Sequence, residues 1–128
     1  MTKNNVFLDS NIWLGYFLES SPGLSQLIES PHTVIFSSIL SFHEVAKVLS
    51  HKQKSQAFVK EVLRYMRENT TVLSLNEDLV VDAVNWRLKN KLHAIDSILY
   101  QSALNSDALF ITADSDFDGM PNVEKVKG

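Results

Sequence analysis

The 128-residue sequence contains no cysteine, which excludes disulfides, thiolate zinc sites and cysteine nucleophiles and fits a reducing compartment. Glycine is scarce as well. Only four are present, and none builds the glycine-rich turn with which a P-loop or dinucleotide-binding fold cradles phosphates. The four histidines, His32, His43, His51 and His93, show no metal-ligand spacing. No apolar run approaches the roughly 18 residues of a membrane span. The first strand-like segment starts by Asn5, leaving no space for a signal peptide, so a cytoplasmic protein is expected. Positive charge is not in excess: 12 basic against 15 acidic residues give a net charge of -3, which argues against a uniformly basic nucleic-acid coat. Ser10 lacks the Gly-x-Ser-x-Gly setting of a hydrolase nucleophile and reads as a turn hydroxyl. What remains, 45% hydrophobic and 21% charged, is ordinary globular composition for a single domain over residues 1–128.

Hydrophobic periodicity divides the chain into alternating strands and helices. Val6 to Leu8 reads as a short buried strand closed by the polar turn Asp9-Ser10-Asn11. Short helices are predicted over Ile12–Leu18 and Leu24–Glu29, separated by Ser21-Pro22-Gly23. Thr33–Phe36 is a second strand ending in Ser37-Ser38. Beyond it Phe42, Val45, Ala46 and Leu49 mark one face of a helix, and a further helix is expected over Ser55–Glu68. Thr71–Leu75 reads as a third strand, and Asn76-Glu77-Asp78 opens a helix that runs to about Lys89. Helical period returns around Ile95–Ala103, followed by a strand over Ala108–Thr112 and a last strand over Val123–Lys127. This alternation predicts an α/β domain, a three-layer α/β/α arrangement with a mainly parallel central sheet. No repeat, linker or low-complexity tract interrupts it.

In open parallel sheets, ligands gather at the carboxyl ends of the strands. Five acids fall there: Asp9 after the first strand, Glu44 in the first turns after the second, Asp96 at the start of a late helix, and Asp114 and Asp116 after the fourth. Each alone has a plain structural explanation. Asp9 suits an Asx turn or a helix cap, Ser41 to Glu44 fits a capping box, and Asp96 complements a helix dipole. Together they suggest a site, because separate caps have no reason to share one edge of a sheet. Two like charges about 4 Å apart repel by roughly 4 kcal/mol at an effective dielectric near 20. A divalent cation removes that penalty, and an all-oxygen donor set selects Mg²⁺ or Mn²⁺ over zinc. The run Asp114–Gly119 copies the opening of an EF-hand loop, but Lys125 stands where that loop needs a bidentate Glu and Pro121 interrupts it.

These residues resemble the PIN-domain ribonucleases, and among them the small VapC-type toxins of toxin–antitoxin pairs. The family's strand-Leu-Asp-[Ser/Thr]-Asn opening is matched by Val6 to Asn11, and its helix-borne Glu by Ser37-Ser38 through Glu44-Val45. Ala94–Leu99 resembles the helix-opening Asp motif, and Ile111–Phe117 the Thr-x-Asp-x-Asp-Phe ending. The resemblance implies a metal-dependent endoribonuclease in which Asp9, Glu44, Asp96 and Asp114 surround Mg²⁺ or Mn²⁺ and Asp116 assists. Ser10, Asn11 and Thr112 would support the acids, and the products would carry 5′-phosphate and 3′-hydroxyl ends. It also implies a homodimer and an antitoxin whose C-terminal segment covers the acidic pocket. Two departures concern the loop before Asp96: His93 stands at a position where a small residue is common, and Asn90-Lys91-Leu92 lacks the usual Gly.

Between Lys47 and Arg67 six basic residues face only Glu61 of opposite sign. Lys47, Lys52, Lys54, Arg64 and Arg67 are the candidates for contacts to RNA phosphates, against a solvated helical face as the plain explanation. Ile12, Trp13, Tyr16 and Phe17 are either a partner surface or core. A non-catalytic PIN-like interaction module and a DNA structure nuclease are the alternatives to an endoribonuclease.

Overall fold

The computed structural model describes residues 4–126. Five parallel strands, β1 (Asn5–Leu8), β2 (Val34–Ser38), β3 (Thr71–Leu73), β4 (Leu109–Thr112) and β5 (Val123–Lys125), form one sheet in the order β3-β2-β1-β4-β5. The helices are α1 (Ser10–Glu19), α2 (Pro22–Ile28), α3 (Ile39–His51), α4 (Gln56–Asn69), α5 (Glu77–Asp82), α6 (Val84–Asn90) and α7 (Ala94–Asn105). Among the described residues, no helix is long and apolar enough to cross a membrane.

The period-2 alternation of β1 assigns its side chains to two separate cores. Val6 and Leu8 enter one cluster with Ile12 and Trp13 of α1, Val45 and Leu49 of α3, and Val62 and Met66 of α4. Phe7 enters the other with Phe110, Phe117 and the α7 residues Leu99, Tyr100 and Ala103. Helices therefore cover both faces of a parallel sheet, the three-layer arrangement expected. Ile12 and Trp13 are buried and belong to the core, not to a partner surface, because α1 is pressed between the sheet and α3. Tyr16 and Phe17 are half-buried against Tyr65 of α4, with ring centroids 5.9 and 5.4 Å away.

Several boundaries differ from those read in the sequence. β3 stops at Leu73, two residues early, because its only neighbour β2 ends at the matching register position, Ser38↔Leu73. The helix predicted from Asn76 to Lys89 is interrupted at Ala83, although Ala83 remains right-handed at φ -64, ψ -21. The capping box of α3 is built by Ser38 and Ser41, not by Ser41 and Glu44. Ser38 is the N-cap, its hydroxyl accepting from the Leu40 amide, while Ser41 Oγ accepts from the Ser38 amide. Glu44 is thereby released from any capping role. The last strand ends at Lys125; Lys127 lies outside the described residues.

Ser38 is buried at the point where β2 turns into α3, so the substitution Ser38→Ala removes a cap that water cannot replace. A loss of about 1 kcal/mol is expected in chemical denaturation, with no change in helical content by circular dichroism.

Candidate active site

The sheet order makes β1 and β4 the pair from which successive crossovers run in opposite directions, and a crevice opens at the carboxyl ends of such a pair. Asp9 ends β1 there, with its amide donating to the Ile111 carbonyl at 2.9 Å. Its side chain is the N-cap of α1, Oδ1 accepting from the Ser10 amide at 2.8 Å. Oδ2 accepts from the Thr112 hydroxyl at 2.8 Å and from Asn11 Nδ2 at 3.3 Å. Thr112 Oγ1 in turn accepts from the Asp114 amide at 3.0 Å, and Asn11 Oδ1 accepts from the Ala113 amide at 3.0 Å. A continuous network thus ties the end of β1 to the end of β4. In this network Ser10 acts through its backbone amide, whereas Asn11 and Thr112 act through their side chains.

Asp114 caps the following turn, its Oδ1 accepting from the Asp116 amide at 2.9 Å. The Asp-x-Asp-Phe ending folds into a single 3₁₀ turn, Ser115–Phe117, with Phe117 fully buried against Phe110 at 4.7 Å between centroids. Phe117 is the anchor that fixes where Asp114 and Asp116 stand. Asp118 turns away to Lys125 at 3.4 Å, so the calcium-loop spacing is not realised. Asp96 sits in the first turn of α7, and Glu44 lies one turn into α3 with Lys47 Nζ 3.2 Å from its Oε2. Glu44, Asp96 and Asp114 are half-buried; Asp116 is exposed.

The electrostatics couple these acids. Burial, 3% exposure, pushes the Asp9 carboxyl from 3.8 up to about 6; the bonds from Thr112 and Ser10 oppose the rise, and the charges of Asp96 and Asp114 add to it. Asp96 is also raised, first by burial and then by Asp114, with Glu44 and Asp116 contributing and His93 opposing. Asp96 thus links the set, feeling Asp114, Glu44 and Asp116 and itself acting on Asp9. Among the described residues, no three acidic or histidine side chains are drawn together at metal-ligand spacing, so the coupling is that of neighbouring charges across a crevice.

Of the basic candidates, Lys47 is paired with Glu44, Arg64 Nη2 with Glu61 at 2.8 Å, and Arg67 lies over the Phe42 ring at 5.9 Å. Lys52 and Lys54 are exposed after α3. Lys60, Arg64 and Arg67 line a shallow groove of about 530 Å³ on α4 with Ala57, Leu63 and the Arg64-paired Glu61.

Because the folded-state value of Asp9 lies above the ordinary carboxylate value, folding is favoured by its protonated form. That stability is complete below about pH 4 and is lost as pH rises through about 6. Asp9→Asn removes the buried charge and should raise the melting temperature at pH 7.5 in EDTA, by at most about 3 kcal/mol in stability. At pH 4 the gain should vanish, and a thermal melt at the two pH values checks the difference.

The comparisons with known proteins agree with this architecture. No curated protein matches the sequence. A chain of a toxin–antitoxin complex from Klebsiella pneumoniae superposes with a TM-score of 0.74 at 20% identity, covering 94% of this chain and 99% of that one. A chain of VapBC2 from Rickettsia felis, bound to a promoter DNA fragment, gives 0.78 at 15% identity and covers 94% and 98%. VapC20 of Mycobacterium tuberculosis, a sarcin-ricin loop cleaving toxin, gives 0.69 at 16% identity and covers 90% and 91%. At these identities the likeness speaks for the fold. The sequence pattern of the PIN domain matches residues 6–123, from β1 to the start of β5, and the chain belongs to the PIN domain family.

Proposed function

We propose that the protein is a metal-dependent endoribonuclease that hydrolyses RNA phosphodiester bonds, and that it is the toxin of a toxin–antitoxin pair. The observation that carries this reading is the buried Asp9 carboxylate, pinned by Thr112 and Asn11 at the β1–β4 crevice and coupled to Asp96 and Asp114, with Asp96 coupled in turn to Glu44 and Asp116. Membership of the PIN family and structural neighbours that are chains of toxin–antitoxin complexes and a sarcin-ricin loop cleaving toxin support it. The donor set fits a hard divalent cation: it is all carboxylate oxygen, and its members repel one another. Asp9, Glu44, Asp96 and Asp114 would hold Mg²⁺ or Mn²⁺, with Asp116 assisting. Such an ion, when bound, neutralises charge on the scissile phosphate and lowers the pKa of a bound water.

The chain's own groups divide the remaining work. Asn11 and Thr112 fix the orientation of Asp9, and the Thr112 hydroxyl donating to Asp9 together with the Ala113 amide donating to Asn11 Oδ1 holds the two strand ends together. Lys47 holds Glu44 on the α3 side of the crevice. The basic face of α4 offers sequence-independent contacts to RNA phosphates. An antitoxin is the protein partner this reading requires, and a segment of it covering the acids would block the phosphate.

Matched RNA and DNA strands incubated with purified protein test the proposal. Cleavage is expected for RNA only, with Mg²⁺ or Mn²⁺ and not in EDTA, leaving 5′-phosphate and 3′-hydroxyl ends. Asp9→Asn and Asp96→Asn should each lower the rate by at least ~10²-fold, the scale of lost electrostatic stabilisation at the reacting centre. A metal at 100 times its dissociation constant should stabilise the wild type by about 2.7 kcal/mol. No cleavage together with no metal-dependent rise in melting temperature would favour a non-catalytic interaction module.

The double substitution Arg64→Ala with Arg67→Ala tests the RNA face separately. RNA affinity should fall, and the slope of log affinity against log salt should flatten by about 1 for each phosphate that is no longer neutralised. Unchanged affinity and slope would return these residues to a solvated helical surface.

A further inference from the structure

Asn11 and Ala113, which belong to the hydrogen-bond network around Asp9, also form one wall of a cavity of about 290 Å³ between α1 and α2. The crevice beside it is carboxylate; this cavity is largely apolar, with Ile12, Leu24 and Val126 on its sides. Asn11, Gly15 and Glu19 recur every four residues, so one stripe of α1 runs from the acids along the cavity. The helix rises about 12 Å between the first and the last of them. That is close to the reach from a phosphate to the far edge of its base.

The stripe pays little heed to helix stability. Gly15 stands in the middle of α1, where glycine is the poorest helix former after proline. A Cβ at Gly15 would come within 2.9 Å of Leu24 Cδ1, so the missing side chain lets α2 approach and keeps the cavity unfilled. Glu19 ends α1, where the helix dipole favours a cation, and it makes no ion pair among the described residues. Ser21 is the N-cap of α2, yet its hydroxyl makes no capping bond. Both line the cavity, on either side of Ser20 in its left-handed conformation at φ 52.

Glu19 and Ser21 thus offer an entering group a carboxylate, which accepts through two oxygens, and a hydroxyl, which can donate. The Watson–Crick edge of guanine carries the complement. Its N1–H and N2 amino group donate side by side, and O6 accepts next to them. On the same edge adenine and cytosine present one donor beside an acceptor, and uracil one donor between two acceptors, so none of these satisfies both carboxylate oxygens. Unstacked bases of single-stranded RNA are read on this edge, and charge-assisted paired hydrogen bonds are the strong ones. The volume, at the low end for ligand sites, suits a single base. We propose that the cavity is a guanine pocket, in which Glu19 and Ser21 read a guanine that flanks the scissile phosphate while the apolar sides pack on its ring. The inference rests on the ribonuclease reading of the crevice.

RNAs with a randomised stretch, incubated with the full-length protein and Mn²⁺ and read by sequencing the product ends, test it. Guanine should be enriched at one fixed position beside the cut. Glu19→Gln turns one acceptor into a donor, which suits adenine, and should shift the guanine-to-adenine ratio by at least ~10-fold. Ser21→Ala should lower the guanine preference less. Glu19 is exposed, so the circular dichroism spectrum of Glu19→Gln should match the wild type. A second measurement needs no cleavage: guanosine titrated in EDTA should shift the amide NMR signals of Gly15, Leu24 and Ala113, uridine should not, and Glu19→Gln should abolish the response. Where RNA is cut, the cleavage preference decides. Cutting without a guanine preference, or with one that Glu19→Gln leaves unchanged, would overturn the pocket and leave the ribonuclease reading standing. Where no RNA is cut, the nucleoside titration decides: Glu19-dependent guanosine shifts would keep the pocket while the reaction fell, and their absence would overturn both.

Discussion

The hydrogen bond from the Thr112 hydroxyl to the Asp9 carboxylate is the interaction on which the site depends. It is made between the last residue of β4 and the residue that follows β1, 103 positions apart in the chain and brought together by the register Leu8↔Ile111. A carboxylate this deeply buried is disfavoured as an ion, and its accepted bonds from Thr112, Asn11 and the Ser10 amide only partly offset that. The site therefore stores unfavourable charge at a buried position that three accepted hydrogen bonds hold in place. Residues elsewhere in the crevice are less constrained, from half-buried Glu44, Asp96 and Asp114 to exposed Asp116.

The two cores explain why that rigidity is available. Phe7, Phe110 and Phe117 stack on one side of the sheet, while Leu8, Ile111 and Trp13 are packed on the other. Adjacent residues of β1 and β4 are thus locked into opposite layers, and the strand ends cannot rotate without disturbing both. The last acids gain their position from an aromatic ring, since Phe117 is buried only two residues after the exposed Ser115.

Much of this was legible in the sequence, and the failures have identifiable causes. Short apolar runs ending in Asp, Ser or Thr marked the strand ends, and a parallel sheet brings such ends to one edge whatever the helices between them do. Ile12 and Trp13 were ambiguous because a helix packed on several sides shows no clean apolar stripe; α1 touches sheet, α2 and α3. Glu44 matched a capping box one turn too late because Ser38 and Ser41 offer the same chemistry, and only the end of β2 decides between them. The central place of Asn11 was visible only as a motif position, since its links to Ala113 and Thr112 span about a hundred residues.

The arrangement of surfaces follows from the layers. α3 and α4 contribute to the core that holds Leu8 and Trp13, whereas α6 and α7 pack into the one that holds Phe7 and Phe110, and α5 rests on α7. The basic face of α4 consequently lies on the layer opposite α6 and α7, with the acidic crevice at the strand ends between the two.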